Sequence, residues 1–349
     1  MKNSDCAFGA GEISFFQKQD LCVRMTQEDV GVVVIGRNEG DRLVRCLASL
    51  KACARNIVYV DSGSTDESVD YAARIGACVV QLALTRPFTA ARARNEGYSA
   101  LKSLQPDVRF VQFIDGDCSL APGWLDKARA FLGQRSDVAI VCGRRRERHP
   151  EASIYNQLCD LEWNTPIGEA VACGGDALMR GEAFESVGGF QSRLIAGEEP
   201  ELCIRLRKIG WTIWRLDADM TEHDASMTRF RQFWVRTVRN GYAFADVVWL
   251  HRNSKLGIWR RATLSAFLWG GLLPVTIGLG ALLYPAALLG ASAYPLQICR
   301  IALKQGSTSH RTWPLALLGI LSKFAQFQGI LKFLWCKWQR GEATLIEYK

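Results

Sequence analysis

The chain has 349 residues, 48% of them apolar, which excludes a wholly disordered protein and allows more than one domain. Its net charge of +8 is uneven: residues 250–349 carry twelve Lys or Arg against Glu342 and Glu347, leaving about −2 on residues 1–249. A near-neutral body with a basic tail argues against a general nucleic-acid surface and for contact with an anionic membrane.

Residues 1–29 show no charged-then-apolar export signal and are expected to form a mobile lead. From Val30 onward, short apolar runs alternate with helix-like segments. Val32–Ile35 precedes a helical Gly40–Ala54, whose Leu43, Leu47 and Leu50 form a stripe. Ile57–Val60 precedes a helical Ser68–Ile75, and Cys78–Leu82 precedes a helical Ala90–Leu104. A fourth strand, Phe110–Ile114, ends in Asp115-Gly116-Asp117. This βαβα order predicts an α/β fold with a mainly parallel sheet between helices, where ligands bind beyond the carboxyl ends of the strands.

Polar residues gather at those ends: Arg37-Asn38-Glu39, Asp61-Ser62-Gly63-Ser64-Thr65-Asp66, and Asp115-Gly116-Asp117. Two aspartates around a glycine make an oxygen-rich corner suited to a hard divalent cation, with a solvated turn as the competing reading. Cys173-Gly174-Gly175-Asp176 supplies flexible backbone for close approach to a ligand, against an ordinary turn. The run Arg144–His149 suits a pyrophosphate-bearing acceptor or anionic head groups, and equally a solvated face. Glu201 is expected to open a helix ending at Ile209, with Gly210 as its cap. Twelve cysteines without C-x-x-C spacing read as reduced, mostly core residues of a cytosolic body.

From Val30 to Ala225 the chain resembles family 2 glycosyltransferases of the GT-A fold. The resemblance rests on Val34–Glu39, Val60–Asp66, Ala91-Arg92-Ala93-Arg94-Asn95-Glu96-Gly97, Asp115-Gly116-Asp117 and Gly197-Glu198-Glu199-Pro200-Glu201-Leu202, in that order and spacing. It implies a nucleotide-diphospho-sugar donor (a UDP- or GDP-sugar), with Asp61 on the base and Arg37, Asn38, Glu39 and Asp66 lining the same pocket. A helix N-cap before Ser68 is the equal alternative for Asp66. One of Arg92 and Arg94 would face the phosphates, since residues two apart splay on a helix. Asp115 would reach the ribose or sugar, and Asp117 would ligate Mn2+ or Mg2+ on the diphosphate. His223, after the strand Thr212–Leu216, is a candidate to complete that metal shell, against a purely structural histidine. Glu199 would be the catalytic base, although the family pattern has Asp at this position. Glu198 would orient the donor, and Gly174 and Gly175 would border it.

The tail has 37 uncharged residues from Ala262 to Ile298. A single helix of that length is about 55 Å long, against a hydrocarbon core of about 30 Å, so a hairpin of two spans breaking between Gly278 and Pro285 fits better than one span. A buried pair inside a soluble domain is the competing reading. Arg260 and Arg261 before the run and Arg300 and Lys304 after it place both ends in the cytoplasm. Trp313–Trp338, interrupted by Lys323, Gln326, Gln328 and Lys332, suits an interfacial helix more than a third span. The expected division is a catalytic domain over 30–250 and a membrane-associated region over 251–349.

Processive synthases of this superfamily carry Gln-x-x-Arg-Trp, whereas this chain has Gln232-Phe233-Trp234-Val235-Arg236. Together these readings predict inverting transfer of one sugar to a lipid-linked, polyprenyl-diphosphate saccharide. The setting would be exopolysaccharide or cell-envelope glycan assembly at a bacterial-type inner membrane. Rival readings are a polyprenyl-phosphate glycosyl synthase and an inactive, membrane-anchored scaffold of the same fold.

Overall fold

The computed structural model of the protein describes residues 29–51, 53–83, 85–304, 306 and 312–339. The expected mobile lead lies outside the described residues, except for Asp29. Nine strands form one mixed sheet: β1 Val30–Gly36, β2 Asn56–Asp61, β3 Cys78–Gln81, β4 Phe110–Asp115, β5 Cys118–Leu120, β6 Val138–Glu147, β7 Gly168–Ala170, β8 Ala177–Arg180 and β9 Thr212–His223. The order is β3-β2-β1-β4-β8-β6-β9-β5, with β7 on β9. β3, β2, β1 and β4 run parallel, and the pairs β4–β8, β8–β6, β9–β5 and β7–β9 are antiparallel.

Register sets the site. Gly36 lies level with Asp61 and Ile35 with Asp115, so the acidic ends of β2 and β4 flank the end of β1. Val32, Val33, Val34, Val58, Val60, Val111 and Phe113 are fully buried, as a strand covered on both faces requires. The Ala90–Leu104 helix lies close on β1 and β2 because Gly97 has no side chain. A Cβ there would stand 2.4 Å from Val33 Cγ1 and 2.7 Å from Val60 Cγ2.

Two expected boundaries move. The acidic helix spans Glu198–Lys208, so Glu198 rather than Glu201 opens it. Pro200 is tolerated in the first turn because its missing N–H has no intrahelical partner to lose. β9 continues seven residues beyond Leu216 and delivers His223 to the end of the sheet.

Among the described residues, three helices of the tail are long and apolar enough to cross a membrane: Arg260–Leu283, Pro285–Lys304 and Thr312–Trp338. The first two meet at Tyr284, whose extended backbone before Pro285 breaks the run inside the expected window. A π-helical turn, Leu268–Leu272, brings Gly270 and Gly271 against Lys323 and Phe327 of the third helix. That third helix also packs along the Phe230–Leu250 helix, where Gly241 and Gly329 leave no room for a side chain against Gln326 and Val238. Its other face leaves Leu331, Leu334, Trp335 and Trp338 exposed.

Candidate functional site

The Arg94 guanidinium ties the end of β4 to the acidic helix. Arg94 sits in the first turns of the Ala90–Leu104 helix, whose N-cap Thr89 accepts from the Arg92 amide. It is 2% exposed, and its Nη1 donates to Glu198 Oε1 at 2.7 Å and Glu199 Oε1 at 3.1 Å. Its Nη2 donates to Asp115 Oδ1 at 2.8 Å. Burial works against this charge, but Glu199, Asp115 and Glu198 more than offset it and hold the group above the ordinary arginine range. The backbone gives way as well: a Cβ at Gly175 would lie 2.3 Å from Arg94 Nη2 and 3.0 Å from Glu199 Oε1. Gly174 has open space there instead. Arg92 faces elsewhere, and its Nη1 donates to the carbonyls of Ala83, Arg86 and Pro87.

Glu198 and Glu199 form the first turn of their helix, entered through Gly197 at φ +82°. A helix N-terminus favours carboxylates. Burial first, and then the like charge of Glu198, nevertheless push the Glu199 carboxyl up to about 7, although Arg94 pulls the other way. The Glu199 side chain keeps 14% of its surface open, where the Glu198 side chain keeps 5%. Glu199 is therefore an accessible carboxylate poised near neutrality.

The second cluster lies where β5, β6 and β9 meet. Cys118 and Glu147 both stand level with His223. His223 Nε2 is 3.3 Å from Asp117 Oδ2, and its Nδ1 is 3.4 Å from Glu147 Oε2. Burial, then Arg145, lower the His223 pKa, so the ring is neutral at pH 7 and one nitrogen keeps a lone pair. A carboxylate on Nδ1 that leaves Nε2 beside an aspartate is the arrangement of a metal-binding histidine with its orienting partner. The donor atoms of Asp117, Cys118 and His223 lie within 4.8 Å of one another. The carboxylate suits a hard cation and the imidazole tolerates one toward the borderline side, whereas burial holds the Cys118 thiol protonated.

Arg145 joins the two clusters. Its Nη2 reaches Asp115 Oδ2 at 3.2 Å, and its Nε pairs with Asp176 Oδ2 at 3.4 Å. Its guanidinium lies 4.9 Å from the centre of the Trp163 ring, which meets His223 edge-on at 4.7 Å. Asp176 also accepts from the Asp115 amide at 3.1 Å and from Thr221 Oγ1 at 2.7 Å.

The end of β2 is built differently. Asp61 Oδ2 accepts from the Gly63 and Ser64 amides, both at 2.9 Å, and its Oδ1 accepts from Tyr59 at 3.1 Å. Asn38, at φ +53°, donates its amide to Ser64 Oγ and accepts from the Thr65 amide. Asp66 accepts from the Gly40 and Ser68 amides, which ties two helix starts together. Glu39 pairs with Arg42 at 2.8 Å, and Arg37 lies 5.8 Å from the Phe88 ring centre.

Among the expected residues, Arg94, Asp115, Gly175, Glu198 and Glu199 thus share one cluster, and Asp117 and His223 a neighbouring one. Asp61, Asn38, Glu39 and Asp66 line the adjoining strand end, and Arg92 braces a loop. Trp163 has no part in the sequence expectations, Asp176 enters them only as the end of a glycine turn, and Arg145 and Glu147 only as members of the run Arg144–His149. The run Arg144–His149 is neither a uniform grip nor a solvated face. Arg145 and Glu147 point into the site, while Arg144 pairs with Asp160 and Arg146 with Asp219. Period-two alternation on a strand was the signal for that division.

Comparison with known proteins identifies the family and the fold. Residues 31–188 match the family model described as glycosyl transferase family 2. A pre-mycofactocin glycosyltransferase of Mycobacterium tuberculosis is 28% identical over 251 residues, 65% of this chain and 49% of that protein. The chain therefore spans about half the length of that relative. An uncharacterised glycosyltransferase of Mycobacterium bovis is 31% identical over 210 residues, 55% of this chain and 85% of that protein. A mannosyltransferase from Pyrobaculum calidifontis, solved with GDP-mannose and Mn2+, superposes with a TM-score of 0.61 at 19% identity, covering 88% of each chain, and shares the fold. With a GT-A sheet ending in these acidic clusters, the chain belongs to glycosyltransferase family 2.

Proposed function

We propose that the protein is an inverting, membrane-anchored glycosyltransferase that moves one sugar from a nucleotide-diphospho-sugar to a lipid-linked, polyprenyl-diphosphate saccharide. The observation that carries this reading is Glu199: held by Arg94 beside Asp115, partly open, and with its carboxyl near 7. As a carboxylate it takes the proton of an acceptor hydroxyl while that oxygen attacks the anomeric carbon opposite the departing nucleoside diphosphate. One displacement inverts the anomeric centre, with no covalent nucleophile.

Asn38, Asp61 and their turn border the nucleotide, and Asp115 faces the ribose or sugar. Asp117 and His223 would hold Mn2+ or Mg2+, which supplies charge neutralisation for the leaving diphosphate. The three membrane-length helices support an acceptor carried on a lipid, in the setting of exopolysaccharide or envelope glycan assembly. The test is a screen of UDP- and GDP-sugars with membrane fractions, with and without EDTA, scoring label transferred into extractable lipid. EDTA should abolish transfer, and Glu199→Gln should lower kcat by about 10²–10⁴-fold. Full activity in Glu199→Gln would favour a lipid-phosphate acceptor, which needs no base, and an absence of transfer from any donor would favour the inactive scaffold.

A further inference from the structure

The helix that carries Glu199 is gripped from its far side by the turn leading into the first membrane-length helix. Glu201, two residues on and 1% exposed, points away from the site. It binds Arg205 through both oxygens, at 2.9 and 2.7 Å, and accepts from His251 Nε2 at 3.0 Å. His251 caps the Phe230–Leu250 helix, and its Nδ1 lies 3.1 Å from Lys208 Nζ at the other end of the acidic helix. Arg260, the first residue of the membrane-length helix, closes the turn by donating to the carbonyls of Arg252 and Ser254.

Trp259 completes the grip. It adopts φ +68°, an unusual backbone for a bulky residue, and its indole covers Gly197, where a Cβ would stand 3.0 Å from Trp259 Cζ3. The segment before Gly197 is anchored to the same region. Ile195 is buried with Tyr242, Ala245, Ala266, Ile330 and Phe333, apart from the main core of the sheet. His251, Trp259, Ala266, Ile330 and Phe333 thus supply part of the walls that hold the acidic helix and the segment before it.

We propose that His251 and Trp259 are positioning residues for Glu199, through which the membrane-entry turn sets the helix that carries the base. The inference rests on the reading of Glu199 as the base. Its physical basis is reach: a rigid helix transmits a displacement at Gly197 or Glu201 directly to Glu199, and an error of about 1 Å at a reacting group costs about 10²-fold in rate. Glutamine at 251 retains an N–H able to reach Glu201, whereas alanine leaves that buried carboxylate with Arg205 alone.

The experiment compares wild type, His251→Ala, His251→Gln, Trp259→Ala and Glu199→Gln as full chains in nanodiscs. Turnover is read as nucleoside diphosphate released from UDP-glucose, UDP-N-acetylglucosamine, UDP-galactose or GDP-mannose with lipid extract. Affinity for UDP and GDP with Mn2+ reports an intact nucleotide side, and amide exchange reports the order of residues 197–208. His251→Ala and Trp259→Ala should lower kcat by about 10²-fold while leaving nucleotide affinity within about twofold, and exchange should rise at residues 197–208 but not in β1 and β4. His251→Gln should restore both readouts. Wild-type kcat or unchanged exchange in His251→Ala overturns the proposal, as does a parallel loss of nucleotide affinity. If Glu199→Gln stays active, the base assignment falls, while amide exchange still decides whether the turn fixes the helix.

Discussion

The ends of β2 and β4 lie side by side and are built by opposite means. At the end of β2, Asp61 and Asp66 are satisfied by amides and a hydroxyl within three residues, apart from the Gly40 amide. At the end of β4, Asp115 is held by Arg94 and Arg145, and the partners of Arg94 stand as much as 105 residues away. The first is a self-supporting loop with its polar groups already matched. The second gathers carboxylates from distant elements around two guanidiniums. Local bonds build a rim, and long-range ones build a reactive centre.

The sharpest way to break this contrast is to remove the hub. Arg94→Ala leaves Glu198, Glu199 and Asp115 without their shared partner and should destabilise the fold by about 3–5 kcal/mol, read as a lower midpoint in chemical denaturation. Arg94→Lys should not restore activity, because one ammonium cannot serve the carboxylates of two elements in a planar fork. Next in size, Asp117→Ala should remove the stimulation by Mn2+ and lower turnover by about 10²-fold, with nucleotide-sugar turnover titrated against the metal as the check.

The pH profile tests the centre more gently. As the proposed base Glu199 would act only when deprotonated, and burial holds its carboxyl up at about 7. Turnover should therefore fall about tenfold per pH unit on the acid side of neutrality, and the limb should vanish from the residual rate of Glu199→Gln. At the rim, Asp66→Ala frees the Gly40 and Ser68 amides and should cost about 1 kcal/mol in a thermal melt, with kcat little changed.

The same contrast explains what could be read from the sequence. The parallel half of the sheet followed from the spacing of apolar runs, and the Asp61 turn from residues close in sequence. The hairpin break followed from Gly and Pro against the length of a span. Pairings across about a hundred residues leave no local trace, so Arg94 could be named but not its partners. Glu147 was hidden in a basic run, because its role appears only when β9 extends to His223. The early start of the acidic helix was hidden because Gly197 enters it through backbone conformation, with no side-chain cap to read.

The contact between the Phe230–Leu250 and Thr312–Trp338 helices has a mechanical consequence. At Gly241 and Gly329 backbone meets backbone, so sliding either helix by one residue would drive a β-carbon into a carbonyl. The pair is a strut of fixed length. The Thr312–Trp338 helix is therefore locked to the Phe230–Leu250 helix, and the two move as one body.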